Sequence, residues 1–320
     1  MGASEETATW FHQFNGAAAS GLAVVHVAAE ADAAEPVHLL YVSTSSGRAP
    51  GAGLATSCPR CLIDLEPGAR AKVVEEFVPV EPEPELDDEP PPHYFSNTVT
   101  EVLLGEGAAL EHTYVNASSP AATHLKGTFV LQQARSSYRL VEAALGGKLA
   151  RHDLQIRQLG PETRTVMRQL CLAGEGQVQD LHSKLVLDHP GGEADQLHKC
   201  IVTSPSSTGV FDGNVRVNQL AQQTDAGQLT RNLILARNAT IQAKPNLMIV
   251  ADDVACTHGC SISDFDDESL FYFASRGIDP LAARRTLVKS FALEITGQIE
   301  FPELLGRVVE RTAATLKDAV

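Results

Sequence analysis

The chain has 320 residues, 43% of them apolar, a net charge of −15 and six cysteines. That charge excludes a binder of phosphate backbones, which needs basic surface. No stretch approaches the ~20 apolar residues of a membrane helix, and so few cysteines do not make a disulfide-stapled module. The length suits one large domain with a smaller attachment. Met1-Gly2-Ala3-Ser4-Glu5-Glu6 has no basic, apolar signal pattern, so a soluble intracellular chain with reduced thiols is expected.

In chain order, an N-terminal segment, 1–20, contains one short helix predicted over 5–14. Apolar runs at 21–27 and 37–42 read as strands. Residues 44–70 are rich in Gly, Ser and Pro and read as an irregular loop, with a strand at 72–79 after it. A second loop spans 80–93. Its stretch from Glu81 to Pro92 alternates acids with prolines, a self-repelling, stiffened composition that cannot build a core.

Short β-type runs then recur at 98–104, 109–115, 128–132, 137–143, 149–157, 163–171, 177–187, 198–202, 214–219, 229–236 and 247–250. Many alternate polar with apolar residues, as in Arg139-Leu140-Val141-Glu142-Ala143. The breaks are Gly, Asn, Asp and Pro, as in Gly105-Glu106-Gly107 and Pro190-Gly191-Gly192. Such a mainly β row means a sandwich, a barrel or a solenoid. Aromatics at 5% and small residues crowding the turns favour the solenoid. So does the likeness of Gly105-Glu106-Gly107-Ala108-Ala109-Leu110-Glu111-His112 to the stretch from Gly174 to His182. The β core is predicted over 21–262.

Beyond Ile262 the period becomes helical, and 263–320 reads as a small helical domain. Asp266 is placed to cap a helix through Leu270, Phe271 and Phe273 that stops at Gly277. Asp279-Pro280 is a cap followed by proline at the first helical position. The helix after it aligns Leu281, Leu287, Val288, Phe291 and Ile295 on one stripe. A third helix starts at Pro302.

Several words, in order, resemble the SufB/SufD family of iron–sulfur cluster assembly proteins. They run from Gln196-Leu197-His198-Lys199-Cys200-Ile201-Val202 through Gly209-Val210-Phe211-Asp212-Gly213-Asn214 and Gln222-Gln223-Thr224-Asp225-Ala226-Gly227-Gln228. The densest is Lys244-Pro245-Asn246-Leu247-Met248-Ile249-Val250-Ala251-Asp252-Asp253-Val254-Ala255-Cys256-Thr257-His258-Gly259. Ser275-Arg276-Gly277-Ile278 closes the series. The word from Asp252 to Gly259 resembles SufD; the corresponding SufB word, Glu-His-Glu-Ala-Thr, is absent.

The resemblance implies a right-handed parallel β-helix (solenoid) core with a C-terminal α-helical domain. It implies a non-catalytic scaffold that forms a heterodimer with a SufB-type paralogue and docks a SufC-type ATPase through the helical hairpin at Arg276, Gly277 and Ile278. No Walker-type Gly-x-x-x-x-Gly-Lys-[Ser/Thr] occurs, so ATP hydrolysis is assigned to the partner. No tightly bound cofactor is implied; iron or an iron–sulfur cluster would visit the interface with SufB transiently. A homodimer is the alternative when the paralogue is absent, because unpaired strands seek partners. Bacterial SufD proteins usually carry a helical segment before the core, whereas this chain starts close to it. The compartment would be the cytoplasm of a bacterium or the plastid stroma of a photosynthetic eukaryote.

His258 is the leading candidate for cluster assembly or metal contact: a neutral imidazole is a borderline ligand for iron and a proton carrier near pH 7. Cys256, two residues earlier, would share its face of an extended strand. Cys260 has no counterpart in the common motif, where a small residue stands. Asp252 and Asp253 are read as organising the turn before Cys256. Cys58-Pro59-Arg60-Cys61 is a lone Cys-x-x-Cys in a loop, and a structural zinc site wants four ligands. Two other readings are a SufB-type paralogue and a β-helical carbohydrate-active enzyme using Asp252, Asp253, Asp264, Asp266 and Asp267. The missing secretion signal and the helical tail count against the enzyme.

Overall fold

A computed structural model describes residues 10–19, 21–44, 53–80, 93–264 and 267–316. Helix α1 (Trp10–Ala18) comes first, then β1 (Leu22–Val27), β2 (Val37–Ser43), β3 (Ala55–Ser57), β4 (Arg60–Leu65) and β5 (Arg70–Pro79). The central strands are β6 (Tyr94–Leu104), β7 (Ala109–Asn116), β8 (Thr123–Gln132), β9 (Ser137–Ala144) and β10 (Leu149–Gln158). They continue with β11 (Arg164–Ala173), β12 (Val178–Leu187), β13 (Glu193–Val202), β14 (Thr208–Val217) and β15 (Thr224–Ile234). The last coil is β16 (Thr240–Ile249) and β17 (Val254–Ser263), followed by α2 (Asp267–Ser275), α3 (Pro280–Thr296) and α4 (Pro302–Leu316).

From β4 onward, successive strands alternate between two sheets. One sheet runs β1-β4-β6-β8-β10-β12-β14-β16, with β3 also on β6; the other runs β17-β15-β13-β11-β9-β7-β5-β2. Every pairing is parallel and in register, so that Leu125, Arg151, Asp180, Val210 and Gln242 form one column. This is the parallel β-helix expected from the recurring short strands. Its corners need small residues. A Cβ on Gly146 would lie 2.2 Å from the Ser118 carbonyl oxygen of the coil below, too close for any side chain.

The interior is apolar along one side, where Ile63, Leu65, Val73, Leu104, Leu110, Leu140, Leu154, Ile156, Leu185 and Val215 stack. Along another side it is polar. Glu75 accepts hydrogen bonds from Lys126 at 2.9 and 2.7 Å and from Thr100 at 2.8 Å, and His112 lies 3.0 Å away. Such buried charges persist because each is paired and hydrogen-bonded.

The C-terminal helices fold back over the outer face of the second sheet. Val288, Ala292, Ile295, Leu304, Val308 and Leu316 bury against Val115, Val141, Leu170, Leu172 and Ile201. Lys199 donates to the Phe291 carbonyl at 2.9 Å and Arg311 to that of Ser118 at 3.0 Å, tying the helices to the coils. The Asp279 cap forms as its sequence suggests: its carboxylate accepts from the Leu281 and Ala282 amides at 3.0 and 3.1 Å, with Pro280 opening α3.

Some readings need correction. The irregular loop over 44–70 contains β3 and β4 and the start of β5, because Cys61, Ile63 and Leu65 point inward from a run hidden among Gly, Ser and Pro. Helix α1 extends to Ala18, beyond the predicted end at 14. The strand predicted at 247–250 begins at Thr240 and runs through Pro245, tolerated because β16 has a hydrogen-bonded neighbour on one side only among the described residues. The predicted helical residues 5–9, the acidic stretch 81–92 and the Asp266 cap lie outside the described residues.

Candidate functional site

The two sheets end in β16 and β17, so one end of the solenoid is a pair of strands with no further coil stacked on them among the described residues. On β17, Val254, Cys256, His258, Cys260 and Ile262 pair with Thr224, Ala226, Gln228, Thr230 and Asn232 of β15. All five of these β15 residues are buried. Paired residues of stacked parallel strands point the same way, so the β17 set belongs to the inward face of the last coil. Among the described residues no further coil covers it, and His258, Cys260 and Ile262 are exposed. Cys256 and His258 therefore share one face, as their spacing suggests, and Cys260 joins them.

The three differ in surroundings. Cys256 is half-buried against the apolar interior beside Val254 and Leu247. Burial first, and the nearby Asp225 carboxylate second, push its thiol above the usual range, against a pull from the Ala226 backbone. Cys260 is exposed, and what burial it has pushes its thiol up as well. His258 is exposed. Among the described residues no three His, Cys, Asp or Glu side chains are arranged to hold a metal ion. Around these residues lie exposed apolar groups at the same end: Met248, Ile249, Val250 and Ile262.

Below His258 runs a ladder that sequence reading missed. Gln169 donates from Nε2 to Glu142 at 2.8 Å, Gln196 to Gln169 Oε1 at 2.7 Å, and Gln228 to Gln196 Oε1 at 2.9 Å. These residues recur 27 and then 32 positions apart, one coil each time; that recurrence is the signal that could have found them. Burial alone would raise the Glu142 carboxyl. His152, 2.9 Å away, and the Gln169 amide outweigh it and hold the carboxyl below its ordinary range.

The remaining candidates lie elsewhere. Asp252 and Asp253 are exposed in the turn between β16 and β17. The Asp253 amide donates to Gln222 Oε1 at 2.8 Å, and its carbonyl accepts from Gln223 at 2.6 Å, a turn lock. Asp264 is held by Arg284 at 2.8 and 3.0 Å. The side chains of Asp266 and Asp267 lie outside the described residues. Cys58 and Cys61 are buried on the far coils, where burial, then Glu75, pushes the Cys61 thiol up to about 12. They do not meet Cys256 and Cys260. Gly277 has φ +76, the left-handed stop of α2. Arg276 lies over the Tyr272 ring at 5.3 Å, and Phe271, Tyr272 and Ile278 are exposed.

Sequence comparison gives this geometry a family. The family model described as "SUF system FeS cluster assembly, SufBD core domain" matches residues 45–291. The chain belongs to the SufBD family of iron–sulfur cluster assembly proteins. It is 46% identical over 285 residues to the chloroplastic protein ABCI7 of Arabidopsis thaliana, covering 89% of this chain and 58% of that one. A SufBD family protein of Synechocystis is 38% identical over 93% of this chain and 64% of its own length. The iron–sulfur cluster assembly protein SufD of Escherichia coli is 30% identical over 92% of this chain and 67% of its own length. The chain thus spans about 58–67% of these relatives. No described helix is long and apolar enough to cross a membrane.

Proposed function

We propose that this SufBD-family chain is a SufD-type scaffold subunit. Its open solenoid end pairs with a SufB-type paralogue, its helical hairpin docks a SufC-type ATPase, and iron or a nascent cluster is handled where the two solenoids meet. One observation carries this reading: His258 and Cys256 stand together on the inward face of a terminal coil that no further coil covers among the described residues. A partner seated there would supply the missing ligands and cover Met248, Ile249, Val250 and Ile262. Exposed apolar patches mark interaction surfaces, and strand edges invite pairing.

The SufD assignment over SufB rests on the word from Asp252 to Gly259. The exposed Phe271, Tyr272, Ile278 and Leu281 offer apolar contacts for an ATPase, with Arg276 and Gly277 shaping the turn between α2 and α3. Cys256 enters as a thiol and would lose its proton on binding a metal, because the thiolate is the ligand. The chain serves as a surface, and ATP chemistry belongs to the partner. The chloroplastic relative favours the plastid stroma.

The test is co-purification. Tagged chain co-expressed with a SufB-type paralogue and a SufC-type ATPase is expected to elute as one complex with both, and as a monomer or homodimer without the paralogue. A chain that stays alone in the presence of both would sink the reading.

A further inference from the structure

The ladder beneath His258 has a direction. A carboxylate held ionised can only accept hydrogen bonds. Glu142 therefore fixes the Gln169 amide with its NH₂ toward Glu142 and its carbonyl away. That carbonyl accepts the NH₂ of Gln196, whose carbonyl accepts the NH₂ of Gln228. Amide orientation is usually ambiguous; here one buried charge settles it for three residues. The last carbonyl, Oε1 of Gln228, is left over. It is occluded, makes no hydrogen bond among the described residues, and belongs to a side chain only 2% exposed.

The amide is held in a fitted slot. Across the interior stands Gly213, where a Cβ would come within 2.4 Å of Gln228 Nε2. With its nitrogen bound toward Gln196 of the coil below, the planar amide turns its oxygen away from that coil. Gln228 pairs in register with His258 of the coil above, and stacked strands lie about 4.8 Å apart. An unpaired buried acceptor is costly to leave unmade; the exposed His258 ring makes no hydrogen bond to it in this structure, and is the in-register donor that a turn of its side chain would bring there.

The geometry points to Gln228 as the positioning residue of His258. With the ring turned inward, its Oε1 would accept the N–H of one ring nitrogen, which would fix the tautomer and direct the other nitrogen's lone pair out of the open end. Histidines that ligate metals are commonly oriented by such an acceptor. The inference rests on the reading of His258 as a metal-facing ligand, and deepens it. Glu142, three hydrogen bonds away, becomes the origin of the polarity that reaches the site.

The test reads the ring itself. Long-range ¹H–¹⁵N imidazole correlations of the ¹⁵N-labelled full chain, with His258 assigned by its loss in His258→Ala, give the tautomer ratio of the neutral ring. Gln228→Leu is expected to shift that ratio by roughly threefold to tenfold, the size of one net hydrogen bond. Glu142→Gln lets the amides reverse, and is expected to move the ratio the same way by a smaller factor while leaving residue 228 intact. An unchanged ratio in Gln228→Leu overturns the inference; if that variant does not fold, an unchanged ratio in Glu142→Gln does so. The cluster yield of His258→Ala tests the underlying reading separately. A shifted tautomer with undiminished yield would keep the positioning role and remove the metal-facing one.

Discussion

Arg307 of α4 grips Glu76 of β5 through two hydrogen bonds, Nε to Oε1 at 3.0 Å and Nη2 to Oε2 at 2.6 Å. Glu76 is buried, and His38 Nε2 lies 2.9 Å from the same Oε2. The pair spans most of the chain length and pins the C-terminal helices onto an early coil. Arg307→Ala leaves a buried carboxylate with one weaker partner. A loss of about 1–3 kcal/mol is expected, less than for a fully buried pair because the guanidinium is half exposed. Urea unfolding of variant and parent measures it; an unchanged midpoint would mean that the apolar contacts alone dock the helices.

Three buried histidines set a pH limit on the fold. Burial lowers His124 and His198 to about 3 and His12 to about 4. Their folded values lie below the unfolded 6.5, so the unfolded chain binds these protons first. Their contribution is complete above about pH 6.5 and is lost as pH falls toward about 4 and 3. Each ring then gives a slope of about 1.4 kcal/mol per pH unit. Thermal melts from pH 7 to 4.5 should show Tm falling steeply. His198→Gln, which loses the ring stacked on Phe211 at 4.3 Å, should flatten the slope by about one proton. A Tm independent of pH over that range would contradict the burial of these rings.

Two glycines behave oppositely. Gly146→Ala drives a methyl group into the Ser118 carbonyl and is expected to cost about 3 kcal/mol, the upper part of the range for overpacking. Gly306 sits exposed in α4 with open space around it. Gly306→Ala should stabilise the chain by about 0.5–1 kcal/mol through helix propensity. Calorimetry of both variants separates a close approach between coils from a residue that is merely small.

What could be read from the sequence followed from what alternation encodes. The strands and their glycine-rich corners were legible because period two and tight turns are local properties. The coil at β4 escaped because Cys61-Leu62-Ile63-Asp64-Leu65 is short and flanked by Pro and Gly. The polar interior was invisible for a deeper reason. Alternation assigns polar residues to solvent, yet Glu75, Lys126, Glu142, Gln169, Gln196 and Gln228 point inward. Only the register between coils shows that they satisfy one another. Cys256 and His258 were found through the word that contains them. Their place on an uncovered inward face depends on which strand comes last in the stack, a property of the whole solenoid.

We propose that His258 acts where two solenoids meet. The most direct measurement is cluster formation by the reconstituted complex of this chain, a SufB-type paralogue and a SufC-type ATPase, followed by visible absorbance, with His258→Ala in place of the parent. The complex should assemble with unchanged composition, and its cluster yield should fall by roughly tenfold or more, the loss typical when a group orienting or ligating a metal is removed; Cys256→Ser in the same assay should show a partial loss. An intact complex of His258→Ala with the parent's cluster yield would contradict the account.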